Sequence, residues 1–220
     1  MDVVCLGILV ADVIARPVDD VPLAGSLSIV DVITVEGGGC AFNTASTLAK
    51  FGLRAEVMGK VGVDPFGDVL VELLDERGVG RTGVLRDPNV PTSSTIVLVD
   101  SAGERTFLHA PGANGALGID ELDLDSLYSG RALHFAGALV MERLDGEPFA
   151  GLAAEAQRRG IFTSLDTVWD PTGAGLGSSR VCHISTSRHR ALPRVSLCLA
   201  SGSRLASPLG YTSAACVRWR

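Results

Sequence analysis

A glycine-rich stretch that leads into a helix is the strongest chemical signal in the sequence. Glu36-Gly-Gly-Gly-Cys-Ala-Phe-Asn43 places three glycines before a predicted helix whose first turn carries Asn43. Glycines let a ligand approach the backbone closely, and free N–H groups at a helix start favour polar or anionic ligands. The spacing matches neither the dinucleotide fingerprint nor the phosphate loop with its lysine. Both a binding turn and a purely structural turn fit this pattern.

Further polar residues lie near the ends of predicted strands. Asp12 follows the first apolar run, and Lys60 with Asp64 follows a later one. His109 begins His109-Ala-Pro-Gly-Ala-Asn114, a polar turn after a hairpin strand. Ligands of open α/β sheets bind outside the carboxyl ends of the strands. A solvated strand-end carboxylate or helix cap at Asp12, and a structural histidine at 109, are the alternatives.

Alternating strands and helices would position these residues. The hydrophobic pattern predicts strands at 3–10, 55–61, 132–140 and 161–166, and helices at 41–51, 66–77, 120–127 and 148–159. Apolar strands that alternate with helices predict a doubly wound, mainly parallel α/β sheet. Hairpins predicted within 17–35 and 92–110 do not fit that sheet and indicate a small second β layer.

The order of these motifs resembles one family. Gly7 with Asp12, the glycines 37–39 with Asn43, the stretch 59–67 and the stretch 112–114 follow the pattern of the N-terminal part of the PfkB, or ribokinase-like, carbohydrate kinases. The resemblance covers about residues 1–173. No single motif is specific, but their shared order and spacing are.

The resemblance implies a fold and an activity. Such proteins are cytosolic enzymes with a doubly wound α/β domain and a β-sheet lid, here expected at about residues 13–36 and 92–110. They transfer the γ-phosphoryl group of ATP, with Mg²⁺, to a hydroxyl of a sugar or nucleoside. A homodimer through the lid is a further expectation. Substrate-binding residues implied or placed nearby by these motifs are Asp12, Gly38, Gly39, Asn43, Lys60, Phe107, His109 and Glu142.

The family's catalytic motif is not recognisable in the second half. The catalytic base of the family ends a D-T-x-G-A-G-D motif, and its glycines open a helix that stabilises the transferred phosphoryl group. Asp170-Pro-Thr-Gly-Ala-Gly-Leu176 imitates it, but Leu176 cannot accept a proton. The stretch also fits a D-T-x-W-D-x-x-G loop that runs from Asp166 to Gly173. The sequence therefore predicts no catalytic base, no metal ligands and no useful kinase activity for the chain as given.

Residues 174–220 differ from the rest in charge and pattern. They hold seven arginines and no Asp, Glu or Lys, so this tail carries +7 and residues 1–173 carry −13. No helical or strand period is sustained there. We expect a tail that is disordered or is a frameshifted translation of a kinase gene. One codon choice for residues 180–187, read two bases later, encodes Arg-Leu-Pro-His-Leu-Asp-Leu, a segment typical of the family.

Composition limits the remaining function classes. Hydrophobic residues make up 46% and charged residues 20%, which excludes a wholly disordered chain. No apolar run approaches the roughly 18 residues of a membrane helix. Five cysteines without a CxxC pair argue against zinc and disulfides and favour the reducing cytoplasm. Two alternatives to an active kinase stay open: a non-catalytic sugar-binding or regulatory protein, and an arginine-tailed nucleic-acid binder.

Overall fold

The computed structural model of the protein describes residues 1–168, 196–198 and 216–218. In chain order its strands are β1 (Val3–Gly7), β2 (Val10–Arg16), β3 (Val32–Gly38), β4 (Ala55–Gly62), β5 (Gly80–Asp87), β6 (Ser94–Val99), β7 (Arg105–Ala110), β8 (Ala132–Ala138), β9 (Phe162–Thr167), β10 (Ser196–Cys198) and β11 (Cys216–Arg218). The helices are α1 (Cys40–Lys50), α2 (Pro65–Glu76), α3 (Gly112–Ala116), α4 (Leu124–Leu127) and α5 (Glu147–Arg158), with a 3₁₀ turn at Ile119–Glu121.

Five parallel strands form the main sheet in the order β5-β4-β1-β8-β9. The chain starts in the middle at β1, builds one side with β4 and β5, and then builds the other with β8 and β9. This reversal of direction at β1 is the doubly wound arrangement, and it confirms the predicted fold class.

Helices cover both faces of the main sheet. Alternate side chains of a strand point to opposite faces, so Val4 and Leu6 pack with α5 while Cys5 packs with α1 and α2. On the α5 side the Phe135 and Phe149 rings meet edge to face, with centroids 5.1 Å apart. The two apolar layers hold the carboxyl ends of the strands in fixed positions.

A second sheet of four strands forms the lid. Its order is β3-β2-β6-β7, with β2 and β6 parallel and the two outer pairs antiparallel. Strands β6 and β7 lie within the segment 92–110, where a hairpin was predicted. Strand β2 instead lies before the segment 17–35, and β3 begins near its end and extends to Gly38. Each lid strand is joined in sequence to an element of the α/β body.

The first strand was predicted wrongly. Residues 3–10 form two strands, because the chain leaves the main sheet after Gly7 and enters the lid at Val10. Every residue from Val4 to Ala11 is buried, so the apolar run continues through the crossing and does not mark the break. Asp12 is therefore the third residue of a lid strand and not the end of the first main-sheet strand.

Three other local predictions were wrong. Residues 17–31 contain no strand, so the predicted hairpin there is absent from this described segment, and β5 was missed because its pattern is mixed. The predicted helix at 120–127 is a 3₁₀ turn followed by the single turn of α4. A separate helix begins there because Asp123 is the N-cap of α4, and its carboxylate accepts a hydrogen bond from the Asp125 N–H. The polar turn after His109 contains the short helix α3.

Outside the α/β body and the lid, the structure describes only β10 and β11, which pair antiparallel. The predictions about the tail's order, its frameshifted origin and Leu176 concern residues outside the described ranges. In residues 1–168 no helix has the length and apolar character needed to cross a membrane.

Candidate functional site

A row of polar side chains crosses the lid. The strand register places Asp12 opposite Glu36 on one side and Thr95 on the other, and Thr95 opposite His109. Residues directly opposite one another share a face of a sheet. The row therefore brings four side chains, one from each lid strand, to one face of the lid: Glu36, Asp12, Thr95 and His109.

Thr95 links the carboxylate to the imidazole. Its hydroxyl hydrogen-bonds the Asp12 carboxyl, and its Oγ1 lies 3.0 Å from Nδ1 of His109. A hydroxyl has one proton to donate. Hydrogen-bonding capacity assigns that proton to Asp12 when the carboxyl is ionised, with Nδ1–H of His109 donating to Thr95. This relay fixes the orientation of Asp12 within the lid.

Partial burial shifts the pKa values of both ends of the relay, Asp12 and His109. Burial raises the pKa of Asp12, while the Thr95 hydroxyl and His109 oppose the rise. Burial also lowers the pKa of His109, against the pull of the Asp12 charge. A partly desolvated carboxylate is a strong acceptor for hydroxyl donors because fewer waters compete for it. The site is suited to a ligand that carries several hydroxyl groups.

The three consecutive glycines have separate tasks. A Cβ on Gly37 would overlap the Phe42 ring, and one on Gly38 would overlap the Asp12 carboxylate. Gly39 has φ +88° and passes close to the Ile8 carbonyl, which only glycine does without strain. The turn thus places the Asp12 carboxylate directly against the backbone at Gly38.

Helix α1 begins at this turn. Gly39 is its N-cap and supplies no side-chain hydrogen bond to the helix start. Asn43 lies in the first turn and is exposed, and its own N–H donates to the Gly39 carbonyl. Asn43 is therefore anchored by the glycine turn, with its amide in solvent.

Phe107 shares the lid face of His109. Phe107 lies opposite Val97 of β6, and Val97 lies opposite Ile14 of β2. Each of these residues is two positions along its strand from a member of the Asp12 row, so Phe107 is on the same face of the lid. Its side chain is about half exposed at 48%. Phe107 and His109 therefore present an aromatic ring and an imidazole on the same lid strand and the same face as Asp12.

Lys60 was expected at the substrate, but the structure gives it internal partners. Its ammonium contacts Glu121 Oε1 at 2.5 Å, Asp87 Oδ2 at 3.2 Å and the Ala116 carbonyl at 3.3 Å. An ammonium has three protons to donate, so its capacity is already used. The residue is 3% exposed, and it joins β4 to β5 and to the segment that follows α3.

Glu142 lies in the loop after β8, at the carboxyl edge of the main sheet, and is exposed. Asp145 organises this loop by accepting from the N–H groups of Leu139 and Met141 at 3.0 and 2.9 Å. Burial raises the pKa of Asp145, while these two hydrogen bonds oppose the rise. The structure thus holds the loop that carries Glu142 in a defined conformation.

Sequence analysis missed a polar group at the ends of β8 and β9. Asp166 Oδ1 accepts from the Gly137 N–H at 2.6 Å, and Oδ2 lies 3.8 Å from Nε2 of His134. The same carboxylate lies near the Cys40 thiol at the start of α1 and helps to raise the pKa of that thiol. Only the position of Asp166 at a strand end hinted at this role, and nothing in the sequence linked it to Cys40 or His134.

Cys5 and Cys40 are unreactive as nucleophiles near neutral pH. Burial, and then the nearby Asp166 charge, raises the pKa of both Cys5 and Cys40 to about 12. A thiol attacks as the thiolate, so both stay in the unreactive form near neutral pH. Burial also lowers the pKa of His134, against the attraction of Asp166, so this imidazole is neutral there as well.

The described residues do not form a metal site, since among them no three His, Cys, Asp or Glu side chains cluster as ligands. They therefore supply no dedicated cage for Mg²⁺, an ion that proteins usually hold through one or two carboxylates together with the phosphates of the substrate. The candidate site consists of the polar side chains on the Asp12 face of the lid and those at the carboxyl edge of the main sheet.

The family follows from a comparison with known proteins. The family model of the pfkB family carbohydrate kinases matches residues 1–178. The chain belongs to this family. The resemblance inferred from the motifs is thereby confirmed, and the match reaches five residues beyond the expected limit of 173.

The curated relatives of this PfkB chain include fructokinases. It is 29% identical over 168 residues to the probable fructokinase-6, chloroplastic, of Arabidopsis thaliana, covering 74% of this chain and 42% of the relative. It is 32% identical over 135 residues to the fructokinase of Vibrio alginolyticus, covering 59% and 42%. The chain thus spans less than half the length of these relatives.

Solved structures share the fold of this PfkB chain. Arabidopsis thaliana ribokinase complexed with ribose and ATP gives a TM-score of 0.64 at 22% identity, covering 76% of this chain and 53% of that one. Fructokinase from Xylella fastidiosa gives 0.61 at 23% identity, covering 81% and 54%. These similarities confirm the ribokinase-like fold with its lid.

Proposed function

We propose that the described residues form the sugar-binding half of an ATP-dependent carbohydrate kinase of the PfkB family. The whole protein's reaction would transfer the γ-phosphoryl group of ATP to a sugar hydroxyl, with Mg²⁺. The observation that carries the proposal is the Asp12 carboxylate, which is half-buried on the inner lid face and packed against Gly38.

Each residue of the site has a chemical task in this proposal. Asp12 accepts hydrogen bonds from two sugar hydroxyls, and each charged bond contributes about 1.5–3 kcal/mol. The Gly38 and Gly39 turn lets the sugar approach the backbone closely. Asn43 and Glu142 supply further polar contacts from the body. Phe107 and His109 cover the sugar from the lid and exclude water.

The phosphoryl-transfer machinery is not supplied by the described residues. Family kinases need an anion-stabilising helix start, a metal site and a base, and the stretch that imitates this motif, residues 170–176, lies outside the described ranges. ATP would provide the phosphoryl group. The residues described here bind, orient and shield the acceptor sugar.

Fructose is the sugar we propose to test first. Curated relatives at about 29–34% identity carry the name fructokinase. Ribose is the competing candidate, because a ribokinase with the same fold was solved with ribose and ATP. A nucleoside is the third, since nucleosides present similar ribose hydroxyls.

The test is calorimetric titration of the chain with fructose, ribose and adenosine. We expect one of them to bind and Asp12→Ala to abolish the binding. Asp20→Ala is the matched control, because Asp20 is an exposed aspartate in the lid segment between β2 and β3. Unchanged affinity in Asp12→Ala would overturn the proposed site.

A coupled ADP-release assay separates the kinase from its main alternative. Sugar binding without sugar-dependent ADP release supports a non-catalytic sugar-binding protein for the chain as given. We expect that result, and we expect Leu176→Asp to leave it unchanged. Steeply salt-dependent binding of DNA or RNA, with no sugar binding, would instead favour the nucleic-acid binder.

We also propose that the outer lid face pairs with a second copy of the chain. The face opposite Asp12 exposes Ile33, Val35, Ile96 and Leu108, which is unusual for a free sheet face. Sedimentation should show a dimer that Leu108→Lys dissociates and that Asp20→Ala leaves intact. Cytoplasmic location is proposed as well, and the free thiols Cys5 and Cys40 suit a reducing compartment.

A further inference from the structure

Four chain crossings join the lid to the α/β body. They are residues 8–9 between β1 and β2, Gly39 between β3 and α1, residues 88–93 between β5 and β6, and Pro111 between β7 and α3. The position of the lid relative to the glycine turn depends on how these crossings are fixed. Two of them meet at a single buried side chain.

That side chain is the amide of Asn114. Its Oδ1 accepts from the Leu9 N–H at 3.0 Å, and its Nδ2 donates to the Leu9 carbonyl at 2.9 Å. Asn114 is 2% exposed and Leu9 is fully buried. The pair joins residues 105 positions apart in the sequence, the first at the exit of β1 and the second in α3, just after the exit of β7.

Leu9 needs this partner because it lies between the two sheets. The pairing of β1 with β8 ends at Gly7, and the pairing of β2 with β3 begins at Val10. A buried backbone N–H or C=O without a partner is strongly unfavourable. An asparagine amide offers one donor and one acceptor in the geometry of a neighbouring strand, so it replaces the missing ladder at this single residue.

Other contacts keep Asn114 in place. The Ala113 N–H donates to the Pro91 carbonyl at 2.9 Å, and the Ser93 hydroxyl donates to the Ala110 carbonyl at 3.1 Å. The Ala11 N–H in turn donates to the Ser93 carbonyl at 2.9 Å. The crossing at residues 88–93 is thus hydrogen-bonded both to β2 and to the start of α3. These bonds restrict movement of the Asn114 amide away from Leu9.

We propose that Asn114 is a positioning residue that locks the lid crossing and thereby sets the sugar site. Asn114 follows His109 by five residues, and Leu9 precedes Asp12 by three. The Asn114 amide therefore fixes the positions of β2 and β7, the two lid strands that carry Asp12 and His109. It thereby holds the Asp12 carboxylate against Gly38. The inference rests on the proposed function only in naming a sugar as the ligand.

Amide hydrogen exchange on the full chain, without sugar, tests the lock directly. In Asn114→Ala we expect exchange to become at least about tenfold faster at residues 8–16 and 94–110, since local opening exposes these amides. Exchange in β4 and β8 should change less than about twofold, because their pairing does not involve the crossing. The affinity for whichever sugar the unsubstituted chain binds should fall at least about tenfold, with Asp12 no longer held in register.

Leu152→Ala is the control for simple loss of stability. Leu152 is 2% exposed in α5 and packs in the apolar layer on the α5 side of the main sheet, whereas Leu9 packs in the layer on the opposite side. We expect this variant to speed exchange in the main sheet without a selective effect on the lid. The contrast between the two variants separates a lock from a general stabilising residue.

Asn114→Asp provides a second variant with a distinct signature. An ionised carboxylate keeps the acceptor for the Leu9 N–H but repels the Leu9 carbonyl, whereas a protonated carboxyl donates to it. Burial raises the pKa of a carboxyl group, so lowering the pH to about 5 should restore slow lid exchange in this variant. Asp12, His109 and Asp64 also titrate near the crossing, and the unsubstituted chain measured at each pH corrects for them. Asn114→Ala should show no such recovery.

Four results would be decisive. Equal acceleration in both sheets for Asn114→Ala, or no recovery at acid pH for Asn114→Asp, would overturn the lock. Selective lid opening with unchanged sugar affinity would overturn the positioning role. If Asn114→Ala opens the lid selectively but the unsubstituted chain binds no sugar, the lock would be supported and the proposed function contradicted. If Asn114→Ala does not fold, the pH series of Asn114→Asp decides alone.

Discussion

The main sheet buries all eight residues of β4, whereas the lid strand β7 leaves all six of its residues exposed. The main sheet is sandwiched between helices and is held by apolar packing on both faces. The lid has one face towards the candidate site and one towards solvent, and it is held by hydrogen bonds at its crossings. The body thus derives its stability from burial, while the lid derives its position from a few polar contacts.

The comparison predicts unequal effects for two phenylalanines. Phe135→Ala in the main sheet should lower the free energy of unfolding by about 3–5 kcal/mol, because the ring is fully buried against Phe149. Phe107→Ala in the lid should lower it by less than about 1 kcal/mol, since that ring is half exposed. Urea unfolding followed by circular dichroism measures both. Similar losses would contradict the contrast between the sheets.

A buried ion pair in the main sheet should also contribute more to stability than an exposed one. Lys60→Met leaves Glu121 and Asp87 without their shared cation, and we expect a loss of about 2–3 kcal/mol in unfolding free energy. The value is below that of fully buried pairs because both carboxylates are partly exposed. Arg81→Met is the control, because its ion pair with Asp75 is exposed and should contribute much less to the free energy of unfolding. A larger effect for Arg81 would refute the assignment of Lys60 to the framework.

The glycine turn between the two regions should tolerate no side chain. Gly38→Ala places a Cβ into the Asp12 carboxylate, so we expect a loss of about 1–2 kcal/mol and sugar binding weakened about tenfold. Gly115→Ala is the matched control, since a Cβ there meets open space in α3 and should stabilise the chain by up to about 1 kcal/mol. Thermal unfolding and calorimetry test the pair. Unchanged sugar affinity in Gly38→Ala would show that the turn does not position Asp12.

Two aspartates should give small pH effects of opposite sign. Burial acts to raise the pKa of Asp64, but hydrogen bonds from Thr92 and Gly67 outweigh it and hold the pKa below its ordinary value of 3.8. The stability it contributes is therefore present above about pH 4 and is lost as the pH falls through its folded pKa. Asp64→Asn should destabilise the chain at neutral pH and have a smaller effect in acid.

The pKa of Asp12 is raised instead, chiefly by burial. Its ionised form opposes folding above its folded pKa, and that cost disappears as the pH falls below its unfolded value. Asp12→Asn should therefore slightly stabilise the chain at neutral pH, with the gain vanishing in acid. Urea unfolding of both variants over pH 3 to 8 measures the signs, and equal signs would contradict the contrast between body and lid.

Local pattern was enough to predict most of the body. Apolar runs and helical spacing placed β4, α1, α2, β8, α5 and β9, because each of these elements buries a face that its own sequence marks. Strand β5 escaped because Arg81 and Arg86 interrupt its apolar positions with charges that pair outside the sheet, on Asp75 and Asp68. The alternation of elements then determined the fold class.

The candidate site was only partly predictable. The glycine turn, Asp12 and His109 stood out by residue type and by their order along the chain. Thr95 did not, because a threonine in a strand is common. Asn114 stood out only as the end of a polar turn, and nothing in the sequence linked it to Leu9. The internal partners of Lys60 could not be predicted, because Asp87 and Glu121 are 27 and 61 residues away in the sequence. No local signal reveals such a partner.

By itself the sequence determined the family, the α/β class and the residue types available for a hydroxyl-binding site. Only the tertiary structure decided that the first apolar run divides between two sheets, that Asp12 belongs to the lid, and that the Asn114 amide completes the backbone of Leu9. Hydrophobic patterning records whether a residue is buried but not which sheet buries it. The crossing at Leu9 is buried by both sheets, so its position depends on hydrogen bonds between residues 105 positions apart.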